Sequence, residues 1–120
     1  MMNQVIFTGR LTKDPEIKEL ENGEKVSNIC VAVQRQYKND KGKYDVDFFD
    51  CSLWNEFAEN ANEYCKKGDV IGVKGHLASI QDKDGKNVLN IVIEKITFIA
   101  KKKEENIDKE IDNDKENIKI

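Results

Sequence analysis

Apolar and polar residues in this chain follow two rhythms, and each change of rhythm marks a boundary. A period of two predicts a strand, because successive side chains point to opposite faces. Residues 4–12, QVIFTGRLT, alternate roughly in this way, and Gly9 within them predicts a bulge or sharp bend. Asp14-Pro15 ends the run, since proline has no N–H to give a ladder. Asn22-Gly23 is a strong short hairpin signal. A long β-rich run follows over residues 26–37, then a polar, glycine-containing loop over 38–46, then a strand over 46–54. The rhythm next changes to a helical one, with Phe57, Ala58, Ala61, Tyr64 and Cys65 at helical spacing. Asn55 is expected to cap this helix, Lys66-Lys67 to suit its C-terminal dipole, and Gly68 to occupy C′. Strands return over residues 70–80, with Gly72 and Gly75 inside, and over 88–100, joined by a turn at 81–87.

The resulting order is β-β-β-α-β-β. Five strands with one helix between the third and fourth predict an all-β OB-fold, a five-stranded Greek-key barrel. The interior glycines of the first and fourth strands fit corners where barrel strands bend. The competing expectation is another small α+β barrel. Residues 1–103 form the predicted domain. Residues 104–120 are nearly all Lys, Glu, Asp, Asn and Ile, and such a composition predicts a disordered acidic tail.

The segment DFFDCSLW, residues 47–54, poses the functional question. Phe49, Cys51 and Leu53 share one face, which suits a core. Phe48, Asp50, Ser52 and Trp54 share the other, so two large aromatics stand among polar residues. Binding of single-stranded nucleic acid needs this mixture: flat rings for bases to stack on and cations for phosphates. Tyr37 follows Arg35 where the second strand meets its loop, and Lys38, Lys41 and Lys43 lie in that loop. Lys74 and His76 share the polar face of the fourth strand, and Arg10 shares a face with Thr8 in the first. Each residue also has a plainer role: Trp54 packing under the helix, Phe48 in a subunit interface, Tyr37 anchoring a loop, and the lysines and His76 as solvated surface.

Charge changes this picture only a little. The net charge of -3 divides unevenly. Residues 1–103 carry 17 basic against 16 acidic side chains, and residues 104–120 carry 3 against 7. A near-neutral body predicts weak electrostatic steering and a shallow salt dependence. Cys30, Cys51 and Cys65 lie in apolar patterns without C-x-x-C spacing, so they are expected to be reduced core thiols in a cytosolic protein. No secretory signal and no membrane-length apolar run is expected. No phosphate-cradling loop, metal-ligand spacing or nucleophile–base set is recognisable, so no enzyme activity, cofactor or metal is implied.

Several segments, in order and spacing, resemble the bacterial and phage single-stranded DNA-binding proteins. They are Asn3, VIFTGRLTKDPE, Asn22-Gly23, Asn28 and the stretch from DFFDCSLW through the helix to GVKGHL, covering about residues 1–100. The resemblance implies an OB-fold subunit that assembles as a homotetramer. It also implies binding to single-stranded DNA with little sequence preference, in replication, recombination or repair. It matches Tyr37 and Phe48 to stacking aromatics, Trp54 to an aromatic before the helix, and Lys67 to a basic residue after it. Phe49 falls where the family often has a histidine near the subunit interface. Two departures imply weaker binding: Gln81-Asp82 stands where the family has a hairpin aromatic, and Glu56 where it has a base. Docking of replication and repair proteins through the tail is left open, because the family's Pro-Phe tip is replaced by Asn-Ile-Lys-Ile. The tail is then an acidic competitor for the groove or suits another partner.

The expected mechanism is therefore non-catalytic. Tyr37, Phe48 and Trp54 stack on bases, and Arg10, Arg35, Lys43, Lys67 and Lys74 contact phosphates. The expected setting is a bacterial cytoplasm, at the nucleoid, or a phage. The alternative is an OB-fold accessory module that binds RNA or protein.

Overall fold

The computed structural model describes residues 1–102, so the expected tail at 104–120 lies outside the described residues. Six strands and one helix occur in the order β1 Val5–Leu11, β2 Lys18–Glu19, β3 Lys25–Lys38, β4 Tyr44–Trp54, α1 Glu56–Tyr64, β5 Val70–Gln81 and β6 Asn87–Ala100. The two-residue β2 was not expected. It pairs with the start of β3 across the turn that holds Asn22-Gly23. The other five strands close a barrel. β1 runs antiparallel to β5 from Val5 to Arg10, then meets β3 at Arg10 and Leu11. β3 pairs with β4, β5 pairs with β6, and the parallel contact of Cys51 and Ser52 with Ile91 and Val92 joins β4 to β6. This is the expected five-stranded barrel, with its helix between the third and fourth barrel strands.

Glycine makes the closure possible at two points. A Cβ on Gly9 would lie 2.5 Å from the Ala32 carbonyl oxygen, so only glycine lets β1 cross to β3 there. The β1–β5 register is continuous through Gly9, which makes this a close crossing rather than a bulge. A Cβ on Gly75 would lie 2.2 Å from the Val92 carbonyl oxygen, where the β5–β6 register shifts.

The core fills the barrel and continues under the helix. Ile29, Val31, Cys51, Leu53, Ile71, Val73, Ile91 and Ile93 face inward from alternating positions, and Leu11 closes one end. Ala58 and Ala61 are the buried face of α1, and their small side chains let the helix sit close to the barrel mouth. The Asn55 side chain does not cap the helix. Its Oδ1 accepts the Lys25 amide at 3.0 Å, which ties the helix start to β3. Gly68 is not at C′ either, because the helix ends at Tyr64 with Cys65 as C-cap. It sits in the following turn with φ +91, its amide bonded to the Leu11 carbonyl.

All three cysteines are free. Burial pushes the Cys51 and Cys65 thiols up to about 12 and about 11, which keeps them protonated near neutrality. Cys30 departs from the core expectation, since it is only half-buried and lies on the outer face of β3.

Candidate nucleic-acid interface

The β3–β4 ladder sets which side chains share the outer face. Val26, Asn28, Cys30, Ala32 and Gln34 stand opposite Trp54, Ser52, Asp50, Phe48 and Val46, respectively. Phe49, the inward neighbour of Phe48, packs its ring 5.5 Å from that of Phe7. The segment divides as its alternation predicts up to Asp50, and Phe48 is left 64% exposed, whereas Ser52, on the same outer face, is buried. Ala32, across from it, is too small to cover a phenyl ring.

Tyr37 is 66% exposed and falls in an irregular stretch of β3, where the pairing passes from Gln34↔Val46 to Lys38↔Tyr44. Tyr44 and Val46 were missed by the sequence reading, which placed residues 38–46 in a loop. Both are exposed and share the β4 face of Phe48, so an apolar stripe runs from the hairpin towards the barrel centre. Lys38 holds its ammonium 5.9 Å from the centre of the Tyr44 ring. Trp54 is half-buried at the far end of the stripe. Its indole N–H donates to Ser52 Oγ at 3.3 Å, and that hydroxyl donates to Asn90 Oδ1 at 2.9 Å. A fixed ring with one accessible part can serve as the end of a stacking platform.

Two clefts flank Phe48. The larger, of about 640 Å³, is lined by Thr8, Arg10, Ala32, Gln34 and Val46. The smaller, of about 260 Å³, includes Lys13, Cys30, Asp50 and Ile80. Arg10 pairs across the ladder with Ala32, so Arg10, Ala32 and Phe48 form one row over three strands. The Arg10 guanidinium donates to the Gly68 carbonyl at 2.9 Å, which brings it beside Lys67. The Lys67 amide is fixed by Asp14 at 2.7 Å, leaving its ammonium at the exposed rim.

The other expected cations are placed differently. Arg35 grips Asp47 in a two-pronged bond, Nε to Oδ2 at 3.0 Å and Nη2 to Oδ1 at 2.9 Å, with Asp45 at 3.8 Å. The same hydrogen bonds hold the Asp47 carboxyl below the usual carboxylate range. Arg35 thus has a matched charge and braces the hairpin. Lys43 is exposed in the tip of that hairpin, where its amide bonds Asn39 Oδ1 at 3.0 Å. Lys74 stands apart, paired with Ile6 of β1 and Lys95 of β6. His76, on the same face of β5, pairs with Glu94 at 2.6 Å.

A small closed barrel with exposed aromatics and cations along one outer face belongs to the class of single-strand nucleic-acid binders. Residues 2–99 match the profile of the single-strand binding protein family. Single-stranded DNA-binding protein B of Bacillus subtilis is 41% identical over 90 residues, covering 73% of this chain and 80% of that protein. The single-stranded DNA-binding proteins of Oceanobacillus iheyensis and Bacillus cereus are 37% and 40% identical. Those matches cover 85% and 82% of this chain, which spans only 66% and 61% of the two relatives. The chain belongs to the single-strand binding protein family, whose members bind single-stranded DNA and are not enzymes.

Proposed function

We propose that single-stranded DNA runs across the outer face of β3 and β4, with bases stacked on Tyr37, Phe48 and Trp54. Tyr44 extends the platform at the hairpin end. The phosphates follow Arg10 and Lys67 at one rim and Lys43 at the hairpin tip. Lys74 acts on the backbone only if the strand wraps round to β5, and Arg35 acts through the hairpin it braces. The carrying observation is Phe48, a ring left 64% exposed in the middle of β4 opposite the small Ala32.

The protein coats DNA exposed in replication, recombination or repair, in a bacterial cytoplasm or for a phage. It works as a homotetramer, which places several grooves side by side. In support of assembly, the Val5–Gly9 half of β1 pairs only with β5 among the described residues, and Ile6 on that half is 72% exposed. A half-open strand edge beside an exposed isoleucine suits a second copy. Among the described residues, no helix is long and apolar enough to cross a membrane.

The test is a titration followed by Trp54 fluorescence, with oligo(dT), a matched RNA strand and a duplex. Quenching by the DNA strand, with weaker response to RNA and little to duplex, is expected. Preference for RNA, or no binding to any of the three, would move the protein to the RNA- or protein-binding alternative.

A further inference from the structure

Beyond Phe48, the stacking stripe meets a carboxylate. Asp50 follows Phe48 on the outer face of β4 and lies opposite Cys30 in the ladder. It is exposed, and its side chain enters no ion pair among the described residues. Asn90 reaches the Asp50 backbone oxygen at 3.5 Å, and the carboxylate takes no hydrogen bond among the described residues. It opens on the cleft of about 260 Å³ with Lys13, Asn28, Cys30, Ile80 and Asn90.

A free negative charge on a surface that carries a polyanion is unfavourable unless it meets something other than phosphate. Its position suggests what that is. Residues two apart on one strand face are roughly 7 Å apart. A base stacked on Phe48 can therefore turn an edge towards Asp50. In a single strand that edge includes the Watson–Crick groups. Guanine presents N1–H and N2–H side by side, which suits the two oxygens of one carboxylate. Thymine presents one N3–H between two carbonyl oxygens that repel it. Cytosine and adenine present an amino group beside a ring-nitrogen acceptor. Lys13, on the same cleft, can donate to guanine O6.

We propose that Asp50 and the cleft around it form a guanine-preferring base subsite within an otherwise sequence-tolerant groove. The proposal rests on the groove described above. It makes the protein selective through one acceptor pair rather than through the stacking rings, which accept every base.

The experiment compares oligo(dT) strands carrying deoxyguanosine, or deoxyinosine, at every fourth position. Inosine keeps N1–H and O6 and lacks only the N2 amino group. Each strand is titrated against the full chain and against Asp50→Ala and Asp50→Asn at one salt concentration. The wild-type protein should bind the guanosine strand about 5-fold or more tighter than the inosine strand, as for the loss of one hydrogen bond to the carboxylate. Asp50→Ala should abolish that ratio, and both variants should bind plain oligo(dT) at least as well as wild type. Equal wild-type affinity for the two strands, or a ratio that survives in Asp50→Ala, would overturn the subsite and leave the groove intact. Loss of binding to every strand in the wild-type protein would instead overturn the groove itself.

Discussion

Phe48 pairs across the β3–β4 ladder with Ala32, so a ring that is 64% exposed faces one of the smallest side chains of the sheet. Cross-strand partners ordinarily cover each other's faces. Here the partner leaves the ring bare, and Arg10 lies one strand beyond Ala32 in the same row, its guanidinium held by the Gly68 carbonyl. In the proposed binding mode a base stacks on this ring and the strand's phosphates run towards Arg10.

Enlarging Ala32 should close the platform. Ala32→Leu is expected to cover part of the Phe48 ring and weaken oligo(dT) binding by a few-fold, within the ~1–3 kcal/mol that base stacking contributes. Its melting temperature should not fall, because the added side chain covers exposed apolar surface. Calorimetric titration beside a thermal melt checks both parts. Unchanged affinity would place the bases elsewhere.

The two arginines should behave differently. Arg10 faces the groove, whereas Arg35 is matched by Asp47. Arg10→Ala should reduce the slope of log affinity against log salt by about 0.7, the release expected for one phosphate contact on a single strand. Arg35→Ala should leave the slope nearly unchanged. Equal losses in the two variants would mean that DNA displaces Asp47 from Arg35.

Asp69 is predicted to be an acid-sensitive tie. It is 4% exposed and accepts the amides of Lys66 at 2.9 Å and Lys102 at 2.8 Å, with the Lys101 ammonium at 3.4 Å. Burial alone would raise its pKa, but the amide bonds from Lys102 and Lys66 prevail and lower it. The unfolded chain therefore takes up this proton first as pH falls. The stabilisation is full above the ordinary aspartate value of about 3.9 and is lost as pH drops through the lower folded value. Asp69→Asn should cost about 1–3 kcal/mol at pH 7 by leaving an amide donor facing buried donors. The difference between variant and wild type should shrink below about pH 4. Denaturant unfolding across pH 3–7 measures it.

Ser27 offers a stabilising change. It is buried, faces Leu53 in the ladder, and its Oγ has no hydrogen-bond partner among the described residues. Ser27→Ala removes an unmatched polar atom and should raise the unfolding free energy by about 1 kcal/mol. A less stable variant in urea unfolding would show that the hydroxyl has a partner in solution.

Most of the barrel could be read from the chain because its strands are covered on one side only. That produces the two-residue alternation, and the small buried alanines of α1 produce the helical one. The short β2 could not be read, because two residues carry no period. The expected Asn55 cap failed because the Lys25 amide, distant in sequence, takes its side-chain oxygen. Tyr44 and Val46 were hidden by the Lys, Asp and Gly around them, which look like a loop although β4 begins at Tyr44. Their even numbering, shared with Phe48 and Trp54, was the available signal. The Arg35–Asp47 pair follows from register: Val33 faces Asp47, which puts Arg35 on the diagonal. Alternation fixes a face but not the partner across it, so the free and the neutralised arginine looked alike.

The most direct test of the account is the affinity of Phe48→Ala for oligo(dT), measured at fixed salt beside its thermal melt. Phe48 is exposed and its ring supports little of the core, so the melt should match wild type. The affinity should fall about tenfold, as for one lost stacking contact of ~1–3 kcal/mol. An unchanged melt with unchanged affinity would contradict the claim that single-stranded DNA stacks on this face.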